Sequence, residues 1–478
     1  MNRLRRRAGV IVLTAAMTGP PSAARAAPPT GGVPTPIAPL PSTPAPILAP
    51  LPDFLRTRPR MAARDLSEKR EGGYWTGLPL FNADPDTGIG LGARVYYYWN
   101  GRREDPLYPF TPYLDRIFAQ AFVTTNGAQL HVIDYDAPYV WHTRFRLRAA
   151  LSYERNISAN YYGRGSSTLS PLGFPGATRS YTRLDDYREA LSRLQPDGTS
   201  YARYNKYDFR QPLARLAMER DLFGGAVRWF GGVIFSYVML GDYTGVPTPA
   251  AAGLSGPEAP TLLHADCIGR RIVGCENGWD NQLKLGISYD TRDFEPDPTA
   301  GVVLGVTTEI SSRRLGSRYN YERVTGAVRV FYSPLPALAR LVLAARAAYS
   351  VQMGEVPFFD LGTLAFIDAD QSGLGGLRTL RGFTQDRFVG RIAAVTNLEA
   401  RWTFLTFTVR TQRARLFLAP FVDAGRVFDD VNGTTLTGWK IGKGVALRVG
   451  INQATIVSID YGTSSEGTGL YVNFGQPF

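Results

Sequence analysis

Residues 375–383 read GGLRTLRGF, and they lie in a segment from about 351 to 388 that lacks strand periodicity. Clear alternating runs flank this segment on both sides. Connections of this length between strands are usually functional or disordered. Here apolar residues, two arginines and closely spaced glycines favour a folded loop, and glycine permits a tight turn at Gly382. We predict that the loop carries Arg381 into the lumen of a membrane β-barrel, where it contacts acidic side chains of the wall.

The flanking runs alternate in polarity, as residues 282–290 illustrate. The apolar set is Leu283, Leu285, Ile287 and Tyr289, and the alternate set is Gln282, Lys284, Gly286, Ser288 and Asp290. Apolar side chains outward and polar ones inward are typical of a membrane barrel strand. Strands of a soluble sandwich also alternate, so the assignment depends on the number of strands and on the start of the chain.

The same pattern predicts sixteen strands from residue 72 onward. They lie near 74–82, 87–99, 116–125, 128–137, 143–155, 202–220, 226–239, 281–291, 301–312, 320–332, 339–350, 389–404, 414–426, 443–451, 454–463 and 468–477. An even number places both chain ends on the periplasmic side. The predicted fold is therefore all-β, a closed sixteen-stranded antiparallel transmembrane β-barrel with a long extracellular loop folded into the lumen.

Connection lengths agree with this topology. The turns predicted on the periplasmic side are short, whereas the long connections at 156–200, 240–280, 351–388 and 427–442 fall outside. The exception is 100–115, a long connection on the inner side.

The start of the chain resembles an export signal. A basic start, a short apolar run and Ala24-Arg25-Ala26 predict a signal peptide over residues 1–26. Residues 27–71 read as a proline-rich, unpacked periplasmic linker, and residues 72–478 as the outer-membrane barrel. The predicted location is the bacterial outer membrane.

The formal charge of +12 raises the question of nucleic-acid binding. The arginines alternate with apolar residues along strands and form no basic helix, so we expect no nucleic-acid partner. A basic lumen, or contact with outer-membrane lipid and lipopolysaccharide, is the expected consequence. Cys267 and Cys275 lie close together in a predicted loop, where a disulfide is favoured over a metal site.

Catalytic motifs are not found. The sequence holds neither Gly-x-Ser-x-Gly nor His-Glu-x-x-His, so we expect no enzyme, cofactor or metal site. We expect a monomer.

Two acidic residues are candidate partners of Arg381. In the strand predicted at 389–404, Leu398 and Trp402 occupy the apolar face, so Glu399 points inward. In the next strand Val422 faces lipid, so Asp423 also points inward. A planar guanidinium can bind two carboxylates and stays charged at every relevant pH. The alternative is that these groups are only hydrated lumen charges.

The motifs resemble the BamA/TamA bacterial surface-antigen family of outer-membrane insertases and translocators. Leu380-Arg381-Gly382-Phe383 matches the hallmark loop of that family, and Phe421, Asp423 and Gly425 match its Phe-x-Asp-x-Gly strand. Glu399 matches the acidic residue of the strand that follows the loop. The resemblance covers about residues 280–478 and implies that the arginine, held by the two acids, controls folding and transport competence.

One departure affects the functional expectation. Family members that insert or secrete proteins carry periplasmic POTRA modules, and residues 27–71 leave no room for one between the predicted cleavage site and the barrel. We therefore expect a POTRA-less member that assists protein insertion or translocation, with any client or periplasmic partner unidentified. The alternative is a plugged diffusion channel or structural barrel without insertase activity.

Overall fold

The structure is a computed structural model. It describes residues 52–56, 60–61, 66–67, 69–84, 88–249, 254–295, 297–335, 340–367, 370–409, 412–451 and 455–478. The predicted signal peptide and most of the predicted linker lie outside these residues. No helix among the described residues is long and apolar enough to cross a membrane.

One antiparallel sheet dominates the molecule. Strands β1–β7 span Gly73–Asp84, Gly88–Trp99, Asp115–Thr124, Gln129–Ala137, Phe145–Asn160, Lys206–Leu222 and Val227–Gly241. The sheet continues with β10–β14 (Gly278–Trp279, Gln282–Asp290, Gly301–Ser311, Tyr321–Tyr332, Leu341–Gly354) and β17–β21 (Ile392–Val409, Gln412–Phe428, Lys440–Ile451, Thr455–Ser464, Thr468–Phe474). Two small hairpins, β8 (Pro247–Pro249) with β9 (Ser255–Pro257) and β15 (Leu364–Ala365) with β16 (Asp370–Gln371), lie apart from it.

Each long strand pairs with the next long strand along the chain, as the connection lengths predicted. The sheet has seventeen strands rather than the predicted sixteen. The additional strand is the two-residue β10, which pairs with β7 just ahead of the β7–β11 pairing. Among the described residues no hydrogen-bonded pairing joins β1 to β21, so closure of the sheet stays a prediction.

The two faces of the sheet differ in chemistry, as the alternation predicted. Leu91, Leu285, Leu398 and Val422 are exposed apolar side chains on one face. The opposite face buries polar and charged side chains, including Lys284, Glu309, Arg323, Glu399 and Asp423. Among the described residues nothing covers the apolar face, and this inside-out distribution is typical of a membrane barrel wall.

The sheet curves around the segment between β14 and β17, here called the inward loop (residues 355–391). This loop contacts Arg215 on β6 through Asp370 and Asp460 on β20 through Arg381. Counted along the paired long strands, β6 and β20 are nine positions apart, a separation of more than about 40 Å if the sheet were flat. A single folded loop reaches both because the sheet wraps around it.

The long connections pack together at one end of the strands, here called the long-loop end. The packed connections themselves are called the cap. They contain helices α1 (Leu184–Leu191) and α2 (Leu262–Ile268) and two clusters of buried apolar residues. Cys267 and Cys275 form a disulfide there. Arg387 ties the inward loop to this cap, since it pairs with Glu466 at 2.8 Å and donates to the carbonyl of Thr168 at 2.6 Å.

At the opposite end, here called the short-turn end, the long connection at 100–114 packs against residues that precede β1. Leu55 is buried against Leu107 and Leu114 of that connection. Lys69 donates from Nζ to the carbonyls of Tyr108 and Thr111, at 2.6 and 2.8 Å. The described part of residues 52–72 is therefore packed rather than extended, and the connection is long because it forms half of this small core.

The end of the last strand also differs from the prediction. β21 stops at Phe474 instead of continuing to residue 477. Gly475 takes a left-handed conformation at φ 92°, and the following residues turn toward the buried face. Phe478 then lies 5.0 Å from the guanidinium of Arg346 and 5.2 Å from that of Arg401.

Candidate functional site

The loop motif begins with a glycine turn that a threonine side chain closes. Gly375 and Gly376 both have positive φ angles, which place the backbone in a conformation that glycine favours. Thr379 Oγ1 accepts from the amide of Gly375 and donates toward the carbonyls of Gly373 and Gly375. This closed turn fixes the backbone two residues ahead of Arg381.

Arg381 is fully buried and meets three carboxylates from three strands. Its Nε and Nη2 donate to the two oxygens of Asp423 at 2.8 and 2.9 Å. Its Nη1 donates to Glu399 at 2.7 Å and to Asp460 at 2.8 Å. The phenyl ring of Phe421 lies 3.4 Å from the guanidinium carbon, so the planar face of the cation is covered as well.

Further arginines balance these acids. Arg448 binds both oxygens of Glu399 at 2.9 and 2.7 Å and lies 3.5 Å from Asp460. Arg401 donates to Glu399 at 2.8 Å. Together with Arg381 they form a buried cluster of three guanidiniums and three carboxylates, here called the charge cluster. Buried ions of this kind are tolerated only when each is paired and hydrogen-bonded.

The strands beneath the motif carry glycine where the loop backbone crosses them. A Cβ atom added to Gly442 on β19 would lie 1.8 Å from the carbonyl oxygen of Arg381, and one added to Gly462 on β20 would lie 2.8 Å from the amide nitrogen of Gly382. Gly382 itself has φ 95° and would bring a Cβ within 2.6 Å of Thr463. The loop backbone therefore rests directly on the strands, and only glycine permits that approach.

The apolar residues of the motif anchor it. Leu380 and Phe383 are buried in one cluster with Leu364, Leu374 and Phe388. The ring of Phe383 meets that of Phe388 edge to face at 5.2 Å. Gly425 of β18 leaves room for this cluster, because a Cβ there would lie 3.1 Å from Leu374.

The last strand also contacts the motif. The hydroxyl of Tyr471 on β21 accepts from the amide of Gly382 at 3.0 Å and donates to the carbonyl of Phe383 at 3.1 Å. Ser464 donates to the carbonyl of Gly382 at 2.8 Å.

A second set of ion pairs holds the earlier part of the inward loop. Asp370 pairs with Lys284 on β11 and with Arg215 on β6 at 2.9 Å. Asp360 pairs with Arg323 on β13. The loop is thus fastened on opposite sides of the curved sheet.

The structure brings together all the motif residues predicted from the sequence: Leu380, Arg381, Gly382, Phe383, Glu399, Phe421, Asp423 and Gly425. Sequence reasoning missed Asp460, Arg448, Gly442 and Gly462. Strand alternation could have identified Asp460, since Ile459 and Tyr461 on either side are exposed and apolar. The predicted disulfide between Cys267 and Cys275 is present and lies in the cap.

Comparison with protein families gives two matches. Residues 120–478 match the Omp85 superfamily domain, and residues 51–114 match a domain of unknown function, DUF5982. No curated protein matches the sequence.

Solved structures with similar folds include BamA from Haemophilus ducreyi lacking POTRA domains 1-3, at 14% identity and a TM-score of 0.46. CdiB from Escherichia coli has 10% identity and a TM-score of 0.47, and CdiB from Acinetobacter baumannii has 12% and 0.43. The match to BamA covers 84% of this chain and 69% of the BamA chain. The matches to CdiB cover 84% of this chain and 61% of the Escherichia coli protein, and 85% of this chain and 60% of the Acinetobacter baumannii protein. The chain therefore spans less than two thirds of both CdiB structures.

Proposed function

The chain belongs to the Omp85 superfamily, and from that premise we propose that it is an outer-membrane β-barrel that assists protein insertion or translocation. In this proposal the long strands close into a barrel through a junction of β1 with β21. The inward loop fills the lumen, with the long-loop end extracellular and the short-turn end periplasmic. No covalent chemistry is involved.

The single observation that carries the proposal is the burial of Arg381 among Asp423, Glu399 and Asp460. A loop that only narrowed a pore would need no buried ion network, because hydrated charges would serve. Three carboxylates contributed by three strands make the position of the loop depend on the arrangement of the wall. The contact of Tyr471 extends that dependence to β21, the strand at the edge of the sheet.

The apolar outer face supports the membrane location. Exposed apolar side chains occur on strands from β2 through β21, including Leu91, Leu151, Leu285, Leu398 and Leu470. An apolar surface of this extent would cause aggregation in water, whereas lipid satisfies it.

Reconstitution tests the proposal. The purified protein is placed in liposomes, and a urea-denatured eight-stranded outer-membrane barrel is added as the client. We expect faster formation of the protease-resistant client than with empty liposomes. We also expect Arg381→Ala to lose most of this acceleration, because the unpaired acids release the loop. Arg314→Ala, which changes an exposed arginine in the turn between β12 and β13, should match wild type.

Failure has a clear form. A folding rate equal to that of empty liposomes would contradict the insertion function. Planar-bilayer currents then test the alternative of a diffusion channel. An open-pore current that Arg381→Ala barely changes would favour a diffusion channel. A wild-type protein that is closed, with current only in the Arg381→Ala variant, supports a docked plug.

A further inference from the structure

A pair of arginines lies on the apolar face of the sheet, at the long-loop end of β5 and β6. Arg155 on β5 and Arg210 on β6 are direct partners in the strand pairing. Each lies an even number of residues from an exposed leucine of its own strand, Arg155 from Leu151 and Arg210 from Leu216. Because side chains alternate along a strand, both arginines point to the apolar face and not into the interior. The two arginines and the carboxylate that they share, Asp208, are here called the outer patch.

The outer patch carries a net positive charge. Asp208 is buried, and its Oδ2 accepts from Arg155 Nη2 at 2.9 Å and from Arg210 Nη2 at 2.7 Å. Over the part of the chain that the structure describes, neither arginine pairs with another carboxylate, so two guanidiniums share one acid. The arginine side chains are 30 and 42% exposed and that of Asp208 is 8% exposed, so the cations face outward with the acid beneath them.

The shared carboxylate also orients both guanidiniums. Asp208 accepts from the Nε and Nη2 atoms of each arginine, at distances from 2.7 to 3.3 Å. Among the described residues, the Nη1 atom of neither arginine makes a hydrogen bond. Two guanidinium forks held by one acid therefore each keep a donor for an anion that approaches from outside.

Tyr243 of the cap borders the outer patch. Its hydroxyl donates to the carbonyl of Ile157 at 2.6 Å, and all three charged groups of the patch act on this hydroxyl electrostatically. The guanidinium of Arg203 lies 4.2 Å from the ring of Tyr243, and Glu258 faces that arginine from the cap. The patch is thus bounded by the cap on one side and by the strands on the other.

The side chains between the outer patch and the middle of the sheet follow a graded order. An apolar row lies nearest the middle, an aromatic row comes next, and the outer patch follows, each row running across paired strands. The apolar row consists of Ile133, Leu151, Ala214 and Phe235, and the aromatic row of His131, Tyr153, Tyr237 and Trp279. A change from apolar through aromatic to cationic side chains matches a bilayer from its hydrocarbon core to its headgroups. The outer patch therefore lies where headgroups would be.

We propose that the outer patch binds the phosphomonoester headgroup of a membrane lipid, whose acyl chains lie along the apolar row. The inference rests on the membrane location given under the proposed function. A phosphomonoester carries a charge of about −1.5 to −2 at neutral pH and has three acceptor oxygens. It can therefore bridge the two guanidiniums, each of which binds phosphate oxygens through its planar fork.

Calorimetric titration of the detergent-solubilised protein tests the site. The probe is dihexanoyl phosphatidic acid, a short lipid with a phosphomonoester, kept below its micellar concentration. We expect saturable binding to wild type, and about tenfold weaker binding to Arg210→Gln and to Arg155→Gln, because each variant loses a charge-assisted contact. Arg220→Gln is the matched control, since Arg220 is exposed on the same strand and the same face but at the short-turn end. It should bind like wild type.

Two further probes define the ligand. Dihexanoyl phosphatidylcholine has the same acyl chains with a zwitterionic headgroup, and inorganic phosphate has no acyl chains. We expect wild type to bind both about tenfold more weakly than phosphatidic acid, because each lacks one of the two interactions. Equal affinity for phosphatidylcholine would mean that the chains alone bind, and equal affinity for inorganic phosphate would mean that the ligand is not a lipid. Either result overturns the proposal.

Two other outcomes also overturn it. One is the absence of saturable binding of phosphatidic acid. The other is equal weakening in Arg210→Gln and Arg220→Gln, which would indicate general attraction to positive charge. Heat-modifiable gel mobility checks that each variant is folded.

The titration involves no client protein, so its result is separate from that of the liposome assay. A protein that binds the lipid without accelerating client folding would keep the site and lose the insertion function. Accelerated client folding without lipid binding would keep the function and lose the site.

Discussion

At the scale of single residues, Arg381 has the strongest predicted effect on stability. Arg381→Ala leaves three buried carboxylates facing two guanidiniums, a net negative charge without solvent. Breaking a buried ion pair by removing one partner costs about 3–5 kcal/mol. We expect a loss of that size, measured as the urea dependence of heat-modifiable gel mobility. Arg381→Lys keeps the charge but cannot bind both oxygens of Asp423, so it should fall between wild type and alanine.

This expectation can fail in a definite way. Wild-type mobility of the alanine variant at every urea concentration would mean that the charge cluster does not hold the loop.

Gly442 provides a purely steric test of the same docking. Gly442→Ala adds no charge, yet its Cβ would overlap the carbonyl oxygen of Arg381. We expect the loop to shift from the wall, so that amides 379–384 lose protection in hydrogen exchange by at least tenfold. Gly326→Ala is the matched control, since it lies on β13 and nothing stands within 4 Å of the added atom. Equal protection in both variants would argue against close backbone contact.

At the scale of elements, the disulfide should stabilise the cap locally. It closes a loop with a sequence separation of 8, for which the chain-entropy estimate is about 2–3 kcal/mol. Arg270 and Arg271 lie inside that loop and are exposed. Reduction should therefore accelerate tryptic cleavage at these two sites. A variant with serine at both cysteine positions should be cleaved fast with or without reductant. Slow cleavage after reduction would show that packing alone holds the segment.

The cap also contains a carboxyl group that should respond to pH. Burial raises the pKa of Glu258 to about 7, although the side chain accepts a hydrogen bond from the amide of Arg203 at 2.9 Å. The folded cap therefore keeps a proton that the unfolded chain releases near pH 4.5, and its stability falls as pH rises from about 4.5 to 7.

Hydrogen exchange measures this effect. Protection factors at the amides of Ser200, Glu258 and Ala259 should be higher at pH 5.5 than at pH 8, after correction for intrinsic exchange. Glu258→Gln should remove the difference. A difference that persists in the glutamine variant would assign it to another group.

A structural feature could be predicted from the sequence when its physical cause lies within a single strand. Alternation within one strand is a local property, so the strand positions and the inward directions of Glu399 and Asp423 could be predicted. The roles of Gly442 and Gly462 could not be predicted. They depend on where the inward loop crosses β19 and β20, and that loop lies up to 80 residues earlier in the chain. The packing of Leu55 against Leu107 and Leu114 was missed for the same reason. The proline-rich composition around Leu55 is a local property, whereas its contacts are with residues more than 50 positions away in the chain.

At the scale of the whole molecule, the exposed apolar face gives a test of the membrane proposal. Leu398 lies mid-strand on β17 and is 51% exposed. On the surface of a soluble protein Leu398→Arg would change stability by at most about 0.5 kcal/mol. Facing lipid near the bilayer midplane, it should cost about 2–4 kcal/mol. Folding titrations in lipid vesicles measure the difference, with Leu436→Arg in an exposed connection as the neutral control. Equal, negligible costs would exclude lipid contact at Leu398.

The balance of three cations and three anions around Arg381 has a consequence for distant ions. A neutral cluster has no monopole, so its potential decays far more steeply with distance than that of a single charge. It can fasten the loop without giving the interior a sign. Arg381→Ala would leave the cluster with one net negative charge, so any current that leaks past the loop in this variant should favour potassium over chloride more than in wild type, as a reversal potential in a salt gradient would register.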